Sequence, residues 1–152
     1  MHRVRRPGVV RETAAPYLSE TPRPIMVDTS VWVDYLRGGG NEREKRVVEL
    51  MAVRRALMCE VASGELFRGA RDEAERTMIV ETVRLLPPVH ERLGLWAEAG
   101  RMSCRLRRMG HAAGLIDCYI GVLAREQGAS LLSRDRDFIY IATELRIPVE
   151  IL

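Results

Sequence analysis

The sequence has few of the residues that mark a secreted, zinc-binding or membrane-embedded protein. Its three cysteines, Cys59, Cys104 and Cys118, are odd in number and widely spaced, so they match neither a disulfide framework nor a paired zinc-ligand motif. The sequence contains no apolar run long enough to cross a bilayer. Lysine is nearly missing as well, since Lys45 is the only one in the chain. We therefore expect a cytoplasmic protein without a membrane partner.

What the sequence does contain is a short apolar segment that ends at a carboxylate. Pro24 can open a strand, residues 25–27 are apolar, and Asp28 follows them directly. Ligands bind at the carboxyl ends of the strands in open parallel α/β sheets, so Asp28 is a candidate binding residue. The same acid, followed by Thr29 and Ser30, is also a good cap for the next helix. This segment alone leaves both interpretations open.

Three further acids stand in comparable places. Asp117 lies in the first turn of a predicted helix whose apolar side chains recur at helical spacing. Asp135, with Asp137 two residues later, follows a short apolar strand predicted at residues 130–132. Glu65 borders the apolar face of another predicted helix. The apolar positions are Ile116, Tyr119, Ile120 and Leu123 in the first helix and Ala62, Leu66 and Ala70 in the second.

Four carboxylates gathered at one end of a sheet predict a binding site for a divalent cation. Without a cation, such acids repel one another and their pKa values rise. Carboxylate oxygens suit Mg²⁺, for which Mn²⁺ can substitute, and the chain has no cluster of His and Cys that would favour zinc. Metal ions in such sites lower the pKa of an attacking water in phosphoryl transfer.

Other classes of protein also place acids at strand ends. A receiver-like signalling domain binds Mg²⁺ but needs a lysine at the end of a late strand, whereas Lys45 stands in a charged helix. A haloacid-type phosphatase needs a second Asp two residues after the first, where this chain has Ser30. A non-catalytic interaction module of the same fold would lack at least one of the four acids. The receiver-like and the non-catalytic module are the alternatives to an enzyme.

Four segments of the chain together resemble the PIN-domain ribonucleases, and among them the VapC-type toxins of type II toxin–antitoxin pairs. The segments are VDTSVWVDYLRG (27–38), SGELFRGAR (63–71), GLIDCYIGVLA (114–124) and LLSRDRDF (131–138). The resemblance depends on their order and spacing, and it covers nearly all of residues 25–152. It implies a PIN-like three-layer α/β/α fold with a central parallel sheet.

The resemblance also implies an activity and a set of site residues. The activity is that of an Mg²⁺-dependent endoribonuclease toxin, which hydrolyses RNA phosphodiester bonds, pairs with a VapB-type antitoxin and forms a homodimer. The metal-binding and catalytic acids carried over are Asp28, Glu65, Asp117 and Asp135, with Asp137, Ser30 and Ser133 as auxiliary residues. Arg134 and Arg136, which bracket Asp135, are candidate RNA contacts, although alternate residues in a loop can simply point outward.

Strands that alternate with helices predict one parallel α/β domain over residues 26–152. The predicted strands are 24–28, 56–59, 130–132 and 149–152, and residues 85–88 are predicted to form a further strand and a turn. The predicted helices are 30–37, 42–53, one that carries Glu65 and continues to about residue 83, 90–109, one around Asp117, and 137–145. In the 90–109 helix the predicted core-facing side comprises Leu93, Trp96, Ala97 and Cys104. We interpret Trp32, Phe67 and Trp96 as core residues.

The positive charge of the chain is concentrated at its start. The formal net charge is +3, and residues 1–25 contain five arginines against two glutamates, so residues 26–152 are neutral. The charge is therefore no evidence that the domain itself binds RNA. Because relatives of this type commonly begin at the position of Met26, we interpret residues 1–25 as a disordered leader or the product of an upstream start codon. An RNA-touching arm is the alternative.

Overall fold

Four strands are separated by one to four helices in a computed structural model that describes residues 22–152. Most of the leader predicted for residues 1–25 lies outside this range. The strands are β1 (Ile25–Val27), β2 (Ala56–Leu57), β3 (Ser130–Ser133) and β4 (Val149–Ile151). The helices are α1 (Thr29–Arg37), α2 (Glu42–Ala52), α3 (Glu60–Gly69), α4 (Glu73–Leu85), α5 (Leu95–Arg108), α6 (Leu115–Glu126) and α7 (Phe138–Leu145).

The four strands form one parallel sheet in the order β2-β1-β3-β4. Met26 of β1 pairs with Leu57 on one side and with Leu131 on the other, and Leu131 pairs in turn with Val149. Strand β1 is buried along its whole length, as expected for a parallel strand that is covered on both faces. The structure confirms the predicted three-layer α/β/α fold with a central parallel sheet.

The chain leaves the sheet in opposite directions after β1 and after β3. From β1 it passes through α1 and α2 to β2 on one side, and from β3 it passes through α7 to β4 on the other. Where the connections of two neighbouring strands diverge, a crevice opens outside their carboxyl ends, and ligands bind there. Asp28 follows β1 and Asp135 follows β3, so the topology places both acids at this crevice.

Helix α6 forms the centre of the core. It is buried on nearly every side from Cys118 to Ala124. Helix α7 packs so closely against it that a Cβ atom at Gly121 would lie 2.4 Å from Cγ2 of Ile141. The missing side chain therefore permits the two helices to touch. This packing also holds Asp117, in the first turn of α6, in a defined position.

Replacing Gly121 with Ala is expected to lower the free energy of unfolding by about 2 kcal/mol, because overpacking outweighs the helix propensity of about 1 kcal/mol gained. The added methyl group would collide with Ile141 and lie 3.0 Å from Cδ1 of Leu145. Gly64 is the matched control, since it also lies inside a helix but has nothing within 4 Å of its Cβ position. A urea titration of each variant measures the free energy of unfolding, and Gly64→Ala should be neutral or stabilising. Equal losses in both variants would contradict this account of Gly121.

The strand predicted at residues 85–88 is wrong. Leu85 is the last residue of α4, and Leu86 is extended but does not join the sheet. Pro87 and Pro88 lack a backbone N–H and cannot donate the hydrogen bonds of a strand ladder. The sheet described by the structure therefore has four strands instead of five.

The single helix predicted from Glu65 to about residue 83 is divided into α3 and α4. Helix α3 ends at Gly69, and the chain turns before α4 begins. Asp72 caps the start of α4, because its carboxylate accepts a hydrogen bond from the backbone N–H of Glu75 at 2.8 Å. Asp72, a residue type that is favoured at helix N-caps, was therefore the sequence signal for this break.

Helix α5 begins later than predicted and turns a different side to the core. It starts at Leu95, because Gly94 adopts a φ of +88° that favours glycine and interrupts the helix. The residues that are buried are Leu95, Ala99, Met102 and Leu106. Trp96 is instead 46% exposed and stacks on Tyr119 with a centroid distance of 3.9 Å. Phe67 is also exposed, at 40%, whereas Trp32 is fully buried as predicted.

Within residues 22–152, no helix is both long enough and apolar enough to span a membrane. The three cysteines are free, and Cys59 and Cys118 are buried. Burial raises the pKa of Cys59 to about 12 and that of Cys118 to about 11. Both thiols are therefore protonated at neutral pH and act as small packing residues.

Candidate active site

Asp28 has the capping role that its sequence position allowed, and it also lies buried at the crevice. It is the N-cap of α1 and accepts a hydrogen bond from the backbone N–H of Ser30 at 3.3 Å. The same oxygen, Oδ2, accepts hydrogen bonds from the hydroxyl groups of Ser30 at 2.5 Å and Ser133 at 3.0 Å. The residue is only 5% exposed. Burial raises the pKa of Asp28, and the hydrogen bonds from the two serines oppose this rise without cancelling it.

Ser133 connects the two neighbouring strand ends. It is fully buried at the end of β3, and its hydroxyl group both donates to Asp28 and accepts a hydrogen bond from the backbone N–H of Asp135 at 3.0 Å. Asp135 in turn accepts a hydrogen bond from the backbone N–H of Asp137 at 2.9 Å. The loop after β3 is thus tied to Asp28 through one buried hydroxyl group.

Asp117 lies at the meeting point of the acids. Burial, followed in order of importance by the negative charges of Asp28, Asp135, Glu65 and Asp137, raises its pKa to about 6. Charges act on one another in this way only when they are close, so the fold brings all five carboxylates together. The four acids singled out in the sequence, together with Asp137, therefore lie within electrostatic range of one another's site at the crevice, with Asp117 as the common neighbour.

Gly114, which has no side chain, leaves space beside the carboxylate of Asp117. Gly114 is the N-cap of α6, and a Cβ atom there would lie 3.0 Å from Oδ2 of Asp117. A contact of 3.0 Å is tighter than nine in ten real Cβ contacts. Any other residue at this position would therefore require the carboxylate of Asp117 to shift by a few tenths of an ångström.

Glu65 is held in place by a residue that the sequence analysis did not include among the site residues. Thr29 donates a hydrogen bond from Oγ1 to Oε2 of Glu65 at 2.6 Å. Thr29 is the first residue of α1 and Glu65 lies in α3, so this bond joins two separate helices. The available signal was the position of Thr29, which directly follows Asp28 at the strand end.

The two arginines that bracket Asp135 differ in their contacts. Arg134 donates hydrogen bonds from Nη1 to both carboxylate oxygens of Asp34, at 2.9 and 3.0 Å. The side chain of Arg136 is exposed, and it forms no ion pair with any residue in the described range. Arg134 is thus already bound within the protein, and Arg136 is the freer of the two candidate RNA contacts.

Comparison with known proteins assigns the chain to a family. The family described as PIN domain matches residues 25–144. The chain belongs to the PIN-domain family. Curated relatives include the VapC ribonuclease Mb1587 of Mycobacterium bovis and ribonuclease VapC11 of Mycobacterium tuberculosis. Each is 34% identical over 122 residues, which cover 78% of this chain and 91% of the relative, so this PIN domain is of the VapC type.

Two solved structures share the fold of this PIN domain. One is VapBC2 from Rickettsia felis bound to a DNA fragment from the promoter of the pair, with a TM-score of 0.68 and 15% identity over 84% of this chain and 98% of that chain. The other is FitAcB from Neisseria gonorrhoeae, with a TM-score of 0.60 and 18% identity over 82% of this chain and 95% of that chain. At these identities the likeness shows the fold alone.

The acid cluster of this PIN domain has the donor chemistry that Mg²⁺ and Mn²⁺ prefer. It offers only carboxylate and hydroxyl oxygens, and none of its five acids forms an ion pair with a described Lys, Arg or His. No three described His, Cys, Asp or Glu side chains converge tightly enough to form a complete ligand set. The carboxylates therefore fit a hard cation by charge and chemistry.

Proposed function

We propose that this PIN domain is an Mg²⁺-dependent endoribonuclease and the toxin of a toxin–antitoxin pair. The observation that carries the proposal is the convergence of acids from four separate segments at the crevice, where burial and their charges together raise the pKa of Asp117. Mutual repulsion of this kind destabilises a fold, and groups with strongly perturbed pKa values cluster at functional sites. The similarity to VapC ribonucleases supports RNA as the substrate.

In the proposed reaction, Asp28, Asp117 and Asp135 hold Mg²⁺, and Glu65 either binds the metal or orients the attacking water. When bound, the metal lowers the pKa of that water and stabilises negative charge on the phosphate. Thr29 keeps the Glu65 carboxylate directed by its hydrogen bond at 2.6 Å. Ser133 holds Asp28 and the backbone of Asp135 together, because its hydroxyl group donates to the carboxylate of Asp28 and accepts from the backbone N–H of Asp135.

The alternatives to an enzyme have less support. A receiver-like module needs a lysine beside the acids, but Lys45 lies in α2 and pairs with Glu42 at an exposed position. A non-catalytic module of this fold would not need to keep all four acids. The cluster contains Asp28, Glu65, Asp117 and Asp135.

We infer further that the chain pairs with a VapB-type antitoxin and forms a homodimer. The solved VapBC2 structure supports the first partner, since it contains such a pair. Large apolar side chains on the surface of the domain offer area for association, among them Phe67, Met78, Val83 and Leu85. Light scattering of the chain alone and with its antitoxin would measure both associations.

A cleavage assay with controlled metal content tests the proposed activity. We expect the purified protein to cleave RNA in Mg²⁺ or Mn²⁺, to stop when EDTA is added, and to recover when excess Mg²⁺ is restored, because the acids alone cannot activate water at neutral pH. Addition of the antitoxin should suppress cleavage at constant metal concentration. Cleavage that continues undiminished in EDTA would rule out the metal-dependent mechanism.

A further inference from the structure

An almost buried acid on helix α1 holds the loop that follows strand β3. Asp34 has a side chain that is only 12% exposed, and both of its carboxylate oxygens accept hydrogen bonds from Nη1 of Arg134. Nη1 of Arg43, on α2, lies 3.5 Å from the same carboxylate. Asp34 thus joins α1, α2 and the loop after β3 at one point.

The position of Arg134 in the chain gives this ion pair its importance. Arg134 stands between Ser133 and Asp135, the two residues whose contacts connect the loop to Asp28. The side chain of Ser133 holds the loop from one direction, and the ion pair with Asp34 holds it from another. Asp135 therefore directly follows two residues whose side chains are both fixed, Ser133 to Asp28 and Arg134 to Asp34.

Asp135 needs such attachment for an electrostatic reason. It is exposed, it lies in a loop, and its charge adds to the repulsion at Asp117. Without a restraint, repulsion between like charges would favour movement of the loop away from the other acids. The side chain of Arg134 is 43% exposed but its carboxylate partner is only 12% exposed, so solvent screens this pair less than an ion pair that is exposed at both ends.

We propose that Asp34 is a positioning residue of the site, which acts through Arg134 to hold Asp135 opposite Asp117. The inference rests on the proposed metal-dependent function and assigns Arg134 to the protein scaffold instead of to RNA. Neither Asp34 nor Arg134 is expected to touch the metal. They act instead on the position of Asp135, which is one of the proposed metal ligands.

Calorimetric Mn²⁺ binding to the full chain, together with hydrogen exchange of residues 134–137, tests the proposal. Asp34→Asn and Arg134→Ala should each weaken Mn²⁺ binding about tenfold, the usual effect of removing a group that orients a metal ligand. Both should speed amide exchange in the loop. The double variant should bind no more weakly than either single one, because both changes break the same pair. Arg134→Lys should restore part of the affinity.

The matched control is Arg46→Ala, which removes a second ion pair of known geometry. Arg46 donates from Nε and Nη2 to the two oxygens of Glu150 at 2.9 and 2.8 Å, and Glu150 is not one of the five acids. This variant should lose thermal stability but keep Mn²⁺ affinity and slow exchange in the loop.

Three results would overturn the proposal. One is unchanged Mn²⁺ affinity and exchange in Asp34→Asn and Arg134→Ala. Another is an equal loss of Mn²⁺ affinity in Arg46→Ala, which would indicate a general effect of instability. The third is an Arg134→Ala variant that binds RNA more weakly but keeps the Mn²⁺ affinity and the loop exchange rate of the wild type. If the wild type binds no Mn²⁺, the proposed function fails, and the exchange measurement alone then decides whether Asp34 holds the loop.

Discussion

Replacing Asp117 with Asn is expected to abolish RNA cleavage while making the metal-free protein more stable at neutral pH. Groups that merely orient a metal ligand contribute about 10–100-fold, so the loss of a ligand should cost more than about a hundredfold in cleavage rate. Overproduction of residues 26–152 should arrest growth, and the variant should be tolerated. Glu65→Gln should be tolerated for the same reason. Toxicity that persists in both variants would indicate a binding module instead of a nuclease.

The gain in stability follows from the direction of the pKa shift. The pKa of Asp117 is raised to about 6 by burial and by its acidic neighbours, so the folded protein holds this proton more tightly than the unfolded chain does. The stabilising contribution of the proton is complete below the ordinary pKa of about 3.9 and is lost as the pH rises through about 6. At pH 7 the ionised carboxylate therefore destabilises the metal-free fold, and Asn removes that effect.

Thermal unfolding in EDTA measures this gain. Because Asp117 is only partly buried, solvent screening reduces the effect to about 1 kcal/mol, or a rise in Tm of about 3 °C at pH 7. The difference between variant and wild type should vanish near pH 4. Asp72→Asn is the matched control, since Asp72 is a helix cap outside the site and Asn caps equally well. An Asp117→Asn variant less stable than the wild type at pH 7 would contradict the account of the cluster.

Mn²⁺ is expected to raise the Tm of the wild type by about 8 °C, and Asp28→Asn should remove most of that rise. A ligand at about 100 times its Kd stabilises a folded protein by about 2.7 kcal/mol, and this gives the size of the effect. Asn can still accept the hydrogen bonds that cap α1, so the fold should persist. Differential scanning fluorimetry with and without Mn²⁺ compares the two proteins.

The control for this experiment is again Asp72→Asn, which should respond to Mn²⁺ as the wild type does. If the wild type and Asp28→Asn respond equally to Mn²⁺, the shared site at the crevice is wrong. If neither responds, the metal-dependent function fails as a whole. Mg²⁺ should act in the same direction as Mn²⁺, because both cations prefer oxygen ligands.

The sequence by itself determined which acids to examine and what kind of fold carries them. Asp28 follows an apolar run opened by Pro24, and Asp117 stands at the start of an apolar helix, so both acids are marked by their immediate neighbours. Secondary structure depends largely on such local signals, and therefore β1, α6 and the parallel α/β class were predictable. The prediction failed where a local signal was ambiguous. The apolar run before Pro87 has the composition of a strand but ends a helix.

Only the tertiary structure decided which distant residues meet. Arg134 and Asp34 are 100 positions apart, and Thr29 and Glu65 are 36 apart, yet each pair forms a direct hydrogen bond. Periodicity shows which side of a helix is apolar, but the partner of a polar side chain depends on the path of the chain between the two. The order of the strands sets that path. It places the ends of β1 and β3 side by side. Helices α3 and α6 bring Glu65 and Asp117 to the same crevice.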